Sequence, residues 1–237
     1  MEFNVKKSMT TLGATILMLF AATSVGASSA SADNTDASHG KGGGKTVTLT
    51  ATLNELNGSG ASGTVTATVR NQKIKNIEVH AMGLTPDAPH AQHIHFGAQA
   101  LHECPTAKQD TNKDGRLTTV EGVPAYGPVA ISLTTTGDTS PASVLAVDRF
   151  PVANYGKYHY SRSNIKITEV AGAGRGGGTA TAKQVARAIR AGKGVVVIHG
   201  QDYNGDGVYS LSAEGPSELN PAFPAEATDP AACGVLN

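Results

Sequence analysis

The sequence predicts an all-β fold, an antiparallel β-sandwich or barrel with long loops and one short helix. Three observations carry that expectation. Four successive segments between Thr46 and Gly97 are rich in β-branched residues, and apolar and polar positions alternate along them with the period of a half-buried strand. Turn residues separate them every ten or so positions, the rhythm of antiparallel sandwiches and barrels. Aromatic residues make up only 5% and tryptophan is absent, so the core must be assembled from valine, isoleucine, leucine and alanine.

The chain opens with Lys6 and Lys7, an uncharged apolar run through Leu17–Ala22, and small residues ending at Ala32, the three parts of a secretory signal peptide over residues 1–32. No later stretch approaches the ~20 apolar residues that a membrane span needs. Residues 33–44 hold almost nothing apolar and read as a flexible tether that includes His39. Residues 45–237 are then one β domain, secreted or associated with the cell wall. Of the 19 basic and 19 acidic residues the leader holds Lys6, Lys7 and Glu2, so the exported chain carries 17 against 18. Such balance argues against nucleic acid or an anionic membrane as partner.

Strands are expected at Thr46–Leu53, Thr64–Arg70 and Lys73–His80, the first two joined as a hairpin by the glycine-rich turn Asn57–Gly63. A proline-containing turn, Thr85–Pro89, leads into a fourth strand, His90–Gly97. After a long excursion, Ala98–Tyr126, come strands at Pro128–Thr136, Ser143–Asp148 and Ser163–Val170, then a helix at Thr181–Arg190. Val195–His199 reads as a buried strand and Ala231–Leu236 as a short last one. Gly172–Gly177 matches a G-x-G-x-x-G fingerprint. A dinucleotide site also needs a parallel βαβ unit and an acidic residue about 20 positions on, so this stretch is read as a linker.

The chemistry centres on histidine. Along a strand, His93 and His95 project to one face while Ile94 points to the other. His199 ends a second strand, and three imidazoles converge if the two strands are neighbours. An all-nitrogen set suits copper or zinc rather than calcium or magnesium. His159, set among tyrosines, reads as a packed surface residue; with His80 and His102 it is an outside candidate for a fourth ligand. Asp110, Asn112, Asp114, Gly115 and Glu121 fill the pattern of a twelve-residue calcium loop, with Arg116 contributing its backbone carbonyl. Asp202, Asn204 and Asp206 repeat the first half of that pattern as a second calcium candidate. There the twelfth position is Ala213, and Glu214 falls one place late. Two cysteines in an exported chain, Cys104 and Cys233, predict one disulfide, which would contribute roughly 4–5 kcal/mol on the chain-entropy model.

His90-x-x-His93-x-His95-Phe-Gly, Cys104 nine residues later, Val195-Val-Val-Ile-His199 and the terminal Ala232-Cys233-Gly234-Val235 together resemble the copper/zinc superoxide dismutase superfamily. The resemblance spans about Lys45 to Asn237 and implies a Greek-key β-sandwich. It implies copper on His93, His95 and His199, a Cys104–Cys233 disulfide, and His90 as a hydrogen-bonding support that does not touch metal. Two departures accompany it. The histidine that bridges copper and zinc in the family falls at Asp110, so zinc is not expected in the usual site, and the arginine that guides superoxide is replaced by Pro230. The stretch Ala188–His199 also resembles the chordin-type repeat (CHRD) domains. The resemblance therefore implies either a copper-dependent dismutase acting on superoxide or another small molecule, or a non-catalytic, calcium-stabilised extracellular binding module. Oligomeric state is left open.

Overall fold

Threonines alternating with small and medium aliphatic residues make a strand with one wet and one dry face, and the first two strands of the fold are built this way. The computed structural model describes residues 45–237; the leader and tether expected over residues 1–44 lie outside them. Strand β1 (Thr46–Glu55) buries Leu49, Ala51 and Leu53 and exposes Thr48, Thr50 and Thr52. Strand β2 (Ser62–Arg70) buries Val65, Ala67 and Val69 against them, and β3 (Lys73–Met82) adds Ile77, Val79 and Ala81. The tight β2–β3 connection turns at Asn71, whose φ of 55° lies in the left-handed region that asparagine tolerates.

The remaining strands are β4 (Gln92–His95), β5 (Val129–Ser132), β6 (Lys157–Lys166), β7 (Gly194–His199) and β8 (Pro230–Leu236). All eight join one curled antiparallel sheet in the order β5-β4-β7-β8-β1-β2-β3-β6. β1 pairs with β2 over Thr46–Leu53, then with β8 at Asn54 and Glu55, so it carries the sheet round the bend between its two halves. β1, β2 and β3 are successive neighbours, after which the chain crosses over: β4 lies between β5 and β7, and β6 returns to pair with β3. The concave side is filled almost wholly by aliphatic residues, among them Ile74, Ile94, Ile131, Leu133, Ile167 and Ile198.

Helix α1 (Thr119–Tyr126) starts from a capping box between Thr118 and Glu121; α2 (Ala182–Arg190) starts from another between Thr181 and Gln184 and buries Val185, Ala186 and Ile189. Single turns α3 (Leu211–Glu214) and α4 (Ala225–Thr228) complete the set. The expected helix is α2. α1 was not expected, because Gly122 and Pro124 lower helix propensity inside it.

Two expected strands are corrected. Ser143–Asp148 is not extended: one-turn helices at Pro141–Ser143 and Val147–Arg149 occupy the segment. Asp138 winds the first of them by accepting hydrogen bonds from the Ser140 and Ser143 hydroxyls at 2.6 and 2.7 Å. The strand placed at Ser163–Val170 begins at Lys157 and ends at Lys166, so the tyrosine-rich segment containing His159 lies within β6 and pairs with β3.

Candidate metal centre

β4 lies between β5 and β7, wholly buried, and its register against β7 sets the histidine geometry. His93 stands opposite Val197 and His95 opposite Val195, while the backbone N–H of His199 donates to the Ala91 carbonyl at 2.8 Å. His199 is therefore the diagonal neighbour of His93 on the same face. Ile94, Val196 and Ile198 point the other way, into the main core. The ring centroids lie 5.7 Å apart for His93 and His95, 5.1 Å for His93 and His199, and 6.0 Å for His95 and His199. One ring nitrogen from each falls within 4.8 Å of the others.

Each imidazole spends its second nitrogen on a backbone carbonyl. His93 Nε2 donates to Val144 at 3.1 Å, His95 Nδ1 to Gly127 at 2.9 Å and His199 Nδ1 to Thr228 at 2.7 Å. A nitrogen that donates must carry the proton, so the opposite nitrogen of each ring is left with a bare lone pair. Those three atoms, His93 Nδ1, His95 Nε2 and His199 Nε2, are buried and have no hydrogen-bond partner. An unpartnered buried polar atom costs about 1–3 kcal/mol, and three facing one point are the signature of a ligand set that fits a metal ion. All three side chains are 3% exposed or less. Burial pushes the His95 pKa down to about 3, helped by the proximity of His199, and that of His199 to about 4; burial and the two neighbouring rings hold His93 well below its ordinary value. The rings are neutral and able to coordinate across the physiological pH range.

Surrounding groups fix these rings. Tyr126 packs on His95 at 4.4 Å, and its hydroxyl donates to the Thr119 carbonyl at 2.7 Å. Phe150 meets His93 edge-on at 5.3 Å. Gly127 holds a φ of 89°, and a Cβ there would strike the Gly97 backbone nitrogen at 2.4 Å, so glycine is required where the His95 acceptor sits. Gly200, at φ 109°, plays the same part beside His199; a Cβ would fall 2.7 Å from His90 Nδ1. That opening lets buried His90 hydrogen-bond the His199 carbonyl at 2.9 Å, outside the ligand cluster. His102 stacks on Phe96, and His80 and His159 stand on β3 and β6, so none of the three outside candidates joins the cluster.

A cavity of about 20 Å³ touches His93 and His199 under Val144, Val147, Leu219 and Phe223, room for roughly one water-sized group. A shallow, mainly apolar depression of about 310 Å³ reaches His95 from the surface. No arginine or lysine lines either space.

The two acidic loops share one hydrogen-bond scheme. In the first, Asp110 accepts from the backbone of Lys113 and Gly115, Asn112 from Asp114, and Asp114 from Arg116. In the second, Asp202 accepts from Gly205 and Gly207, Asn204 from Asp206, and Asp206 from Val208. Glu121 closes the first loop on the N–H groups of Thr111 and Thr118, its second and ninth positions. The second loop is closed at the same two positions, Tyr203 and Ser210, by Glu226 of α4. Glu226 is fully buried and lies far beyond the twelfth position, where sequence spacing directs attention. Glu214 instead approaches Arg116 at 3.7 Å.

Arg116 also pairs with Asp229 at 2.7 Å, and Tyr203 donates to the same carboxylate oxygen at 3.1 Å, so Asp229 ties the two loops together. Burial outweighs both partners and pushes the Asp229 pKa up to about 6. The adjacent Thr228 carbonyl is the His199 acceptor, and the Thr119 hydroxyl donates to it at 2.5 Å. The loops thus brace the residues that orient His199. Cys104 and Cys233 form the disulfide, linking the excursion before the first loop to β8. Among the described residues no helix is long and apolar enough to cross a membrane. Comparison with protein-family models and with curated proteins finds no match for the chain. Thr119, Tyr126, Gly127, Thr228 and Glu226 escaped sequence reasoning because each acts through a contact made only by folding; the Thr118–Glu121 capping box was the one local signal.

Proposed function

We propose that this chain is an exported copper-binding protein of the superoxide dismutase-like kind, with His93, His95 and His199 as copper ligands. Three convergent, unpartnered imidazole nitrogens support that reading above all else. Nitrogen ligands in a dry site suit copper, and neutral rings with fixed tautomers need no rearrangement to bind it. Bound copper would supply one-electron chemistry, by which two superoxide ions and two protons become dioxygen and hydrogen peroxide. The protein's own share is positional: the carbonyls of Val144, Gly127 and Thr228 hold each ring proton away from the centre, and Tyr126 and Phe150 keep bulk water off it. The small cavity leaves room for about one water-sized group beside His93 and His199. Calcium on the two acidic loops, closed by Glu121 and Glu226, would hold α1 and α4 in place around His199.

The walls favour a second reading. Their apolar residues, and Pro230 where a guiding arginine is expected, offer superoxide no electrostatic steering, as suits a calcium-stabilised module that holds metal without turnover. Superoxide consumption by copper-loaded protein, set against free copper and against His95→Ala, separates the two. Catalysis above free copper that vanishes in the variant supports the dismutase; copper bound without catalysis supports the module.

A further inference from the structure

On the outward face of the sheet, on strands other than the buried triad's β4 and β7, β3 and β6 bring a second set of ligating side chains together. His80 stands directly opposite His159, and Glu78, two residues earlier on β3, shares that face and is the diagonal neighbour of His159. The imidazoles stack with centroids 4.1 Å apart and planes 7° from parallel. One ligand atom from each of Glu78, His80 and His159 lies within 4.8 Å of the other two. The carboxylate is already held: Asn76 Nδ2 donates to Glu78 Oε1 at 3.1 Å, and Asn76 is itself fixed by the Ser163 hydroxyl at 3.0 Å. Strand pairing thus performs for this face what the β4–β7 register performs for the buried triad.

We propose that Glu78, His80 and His159 form a surface site for a zinc-class divalent ion, with solvent in the remaining position. Two imidazole nitrogens and one carboxylate are a borderline donor set that selects zinc or copper over calcium or magnesium. Because the stacked rings carry their lone pairs in parallel planes, binding requires the imidazoles to turn out of the stack until one nitrogen of each lies about 2.0–2.2 Å from the ion. Both histidines are exposed, so the ion meets water directly and the site stays open to an exchangeable ligand, unlike the buried triad.

Zinc titrated into the full chain with calcium in excess, followed by calorimetry, tests this. Wild type is expected to take one equivalent more than the double variant His80→Ala/His159→Ala, and Glu78→Gln to weaken that equivalent at least tenfold. Copper uptake at His93, His95 and His199 should persist in both variants, which shows that they fold and separates this site from the buried one. Equal zinc stoichiometry and affinity in wild type and the double variant would overturn the assignment.

Discussion

The buried triad and the acidic loops are both candidate metal sites, but they have settled their hydrogen bonds in opposite ways. His93, His95 and His199 each keep one nitrogen without a partner in a dry interior. Asp110, Asp114, Asp202 and Asp206 instead accept backbone N–H groups at the surface, and their loops hold shape through those bonds. An interior with orphaned lone pairs is destabilised until something binds, whereas a loop knitted by its own backbone is only tightened by a cation. The difference predicts where a metal matters most: for the triad, occupancy should change stability strongly; for the loops, calcium should act as a brace.

The largest effect should follow loss of a triad ligand. His199→Ala is expected to lower copper affinity by more than the ~100-fold upper range of outer-shell substitutions, measured by competition with a chelator. Next comes the disulfide, which closes a separation of 129 residues between the loop excursion and β8. Cys104→Ser with Cys233→Ser should cost up to roughly 4–5 kcal/mol in urea unfolding, and less where the unfolded chain retains structure.

Between about pH 7 and 4.5, acid should act on the triad. His199 falls from 6.5 to about 4, so its folded form resists protonation that the unfolded chain accepts. Its contribution is complete above about pH 6.5 and is lost as pH falls toward 4, roughly 3 kcal/mol for this residue alone at ~1.4 kcal/mol per pH unit. His95 and His93 act in the same direction. Asp229, raised to about 6, acts oppositely, gaining as pH falls from 6 toward 4, and trims the slope without reversing it. Urea midpoints of metal-free protein should therefore fall steadily from pH 7 to 4.5; a flat profile would contradict neutral burial of the triad.

The smallest effect sharpens the loop side. Glu226→Gln should weaken calcium binding at the second loop about tenfold while Glu214→Gln leaves it within twofold, since Glu226 alone spans Tyr203 and Ser210. Equal effects would return the closing role to sequence spacing.

Much of this was legible in the sequence where local periodicity and final position coincide. The Thr46–Leu53 and Val195–His199 strands, helix α2 and the His93/His95 pair follow from alternation, capping and register parity. Edge strand β6 was misplaced because its inward residues include Tyr158 and Tyr160, which pack beneath hydroxyl contacts to Gln92 and Thr134 and interrupt the aliphatic signal. Glu226 was invisible for a different reason: a carboxylate that closes a loop through space leaves no mark on spacing. The pairing of His80 with His159 likewise depends on which strands neighbour each other, which no single segment encodes.

The central claim, that His93, His95 and His199 form a copper site, is tested most directly by titrating metal-free protein with Cu(II) and recording electron paramagnetic resonance spectra. His80→Ala/His159→Ala protein removes the surface pair from the measurement. The account predicts one tightly held equivalent whose spectrum carries coupling to imidazole nitrogens, lost on adding His95→Ala. Copper without nitrogen coupling, or uptake unchanged by His95→Ala, would contradict it.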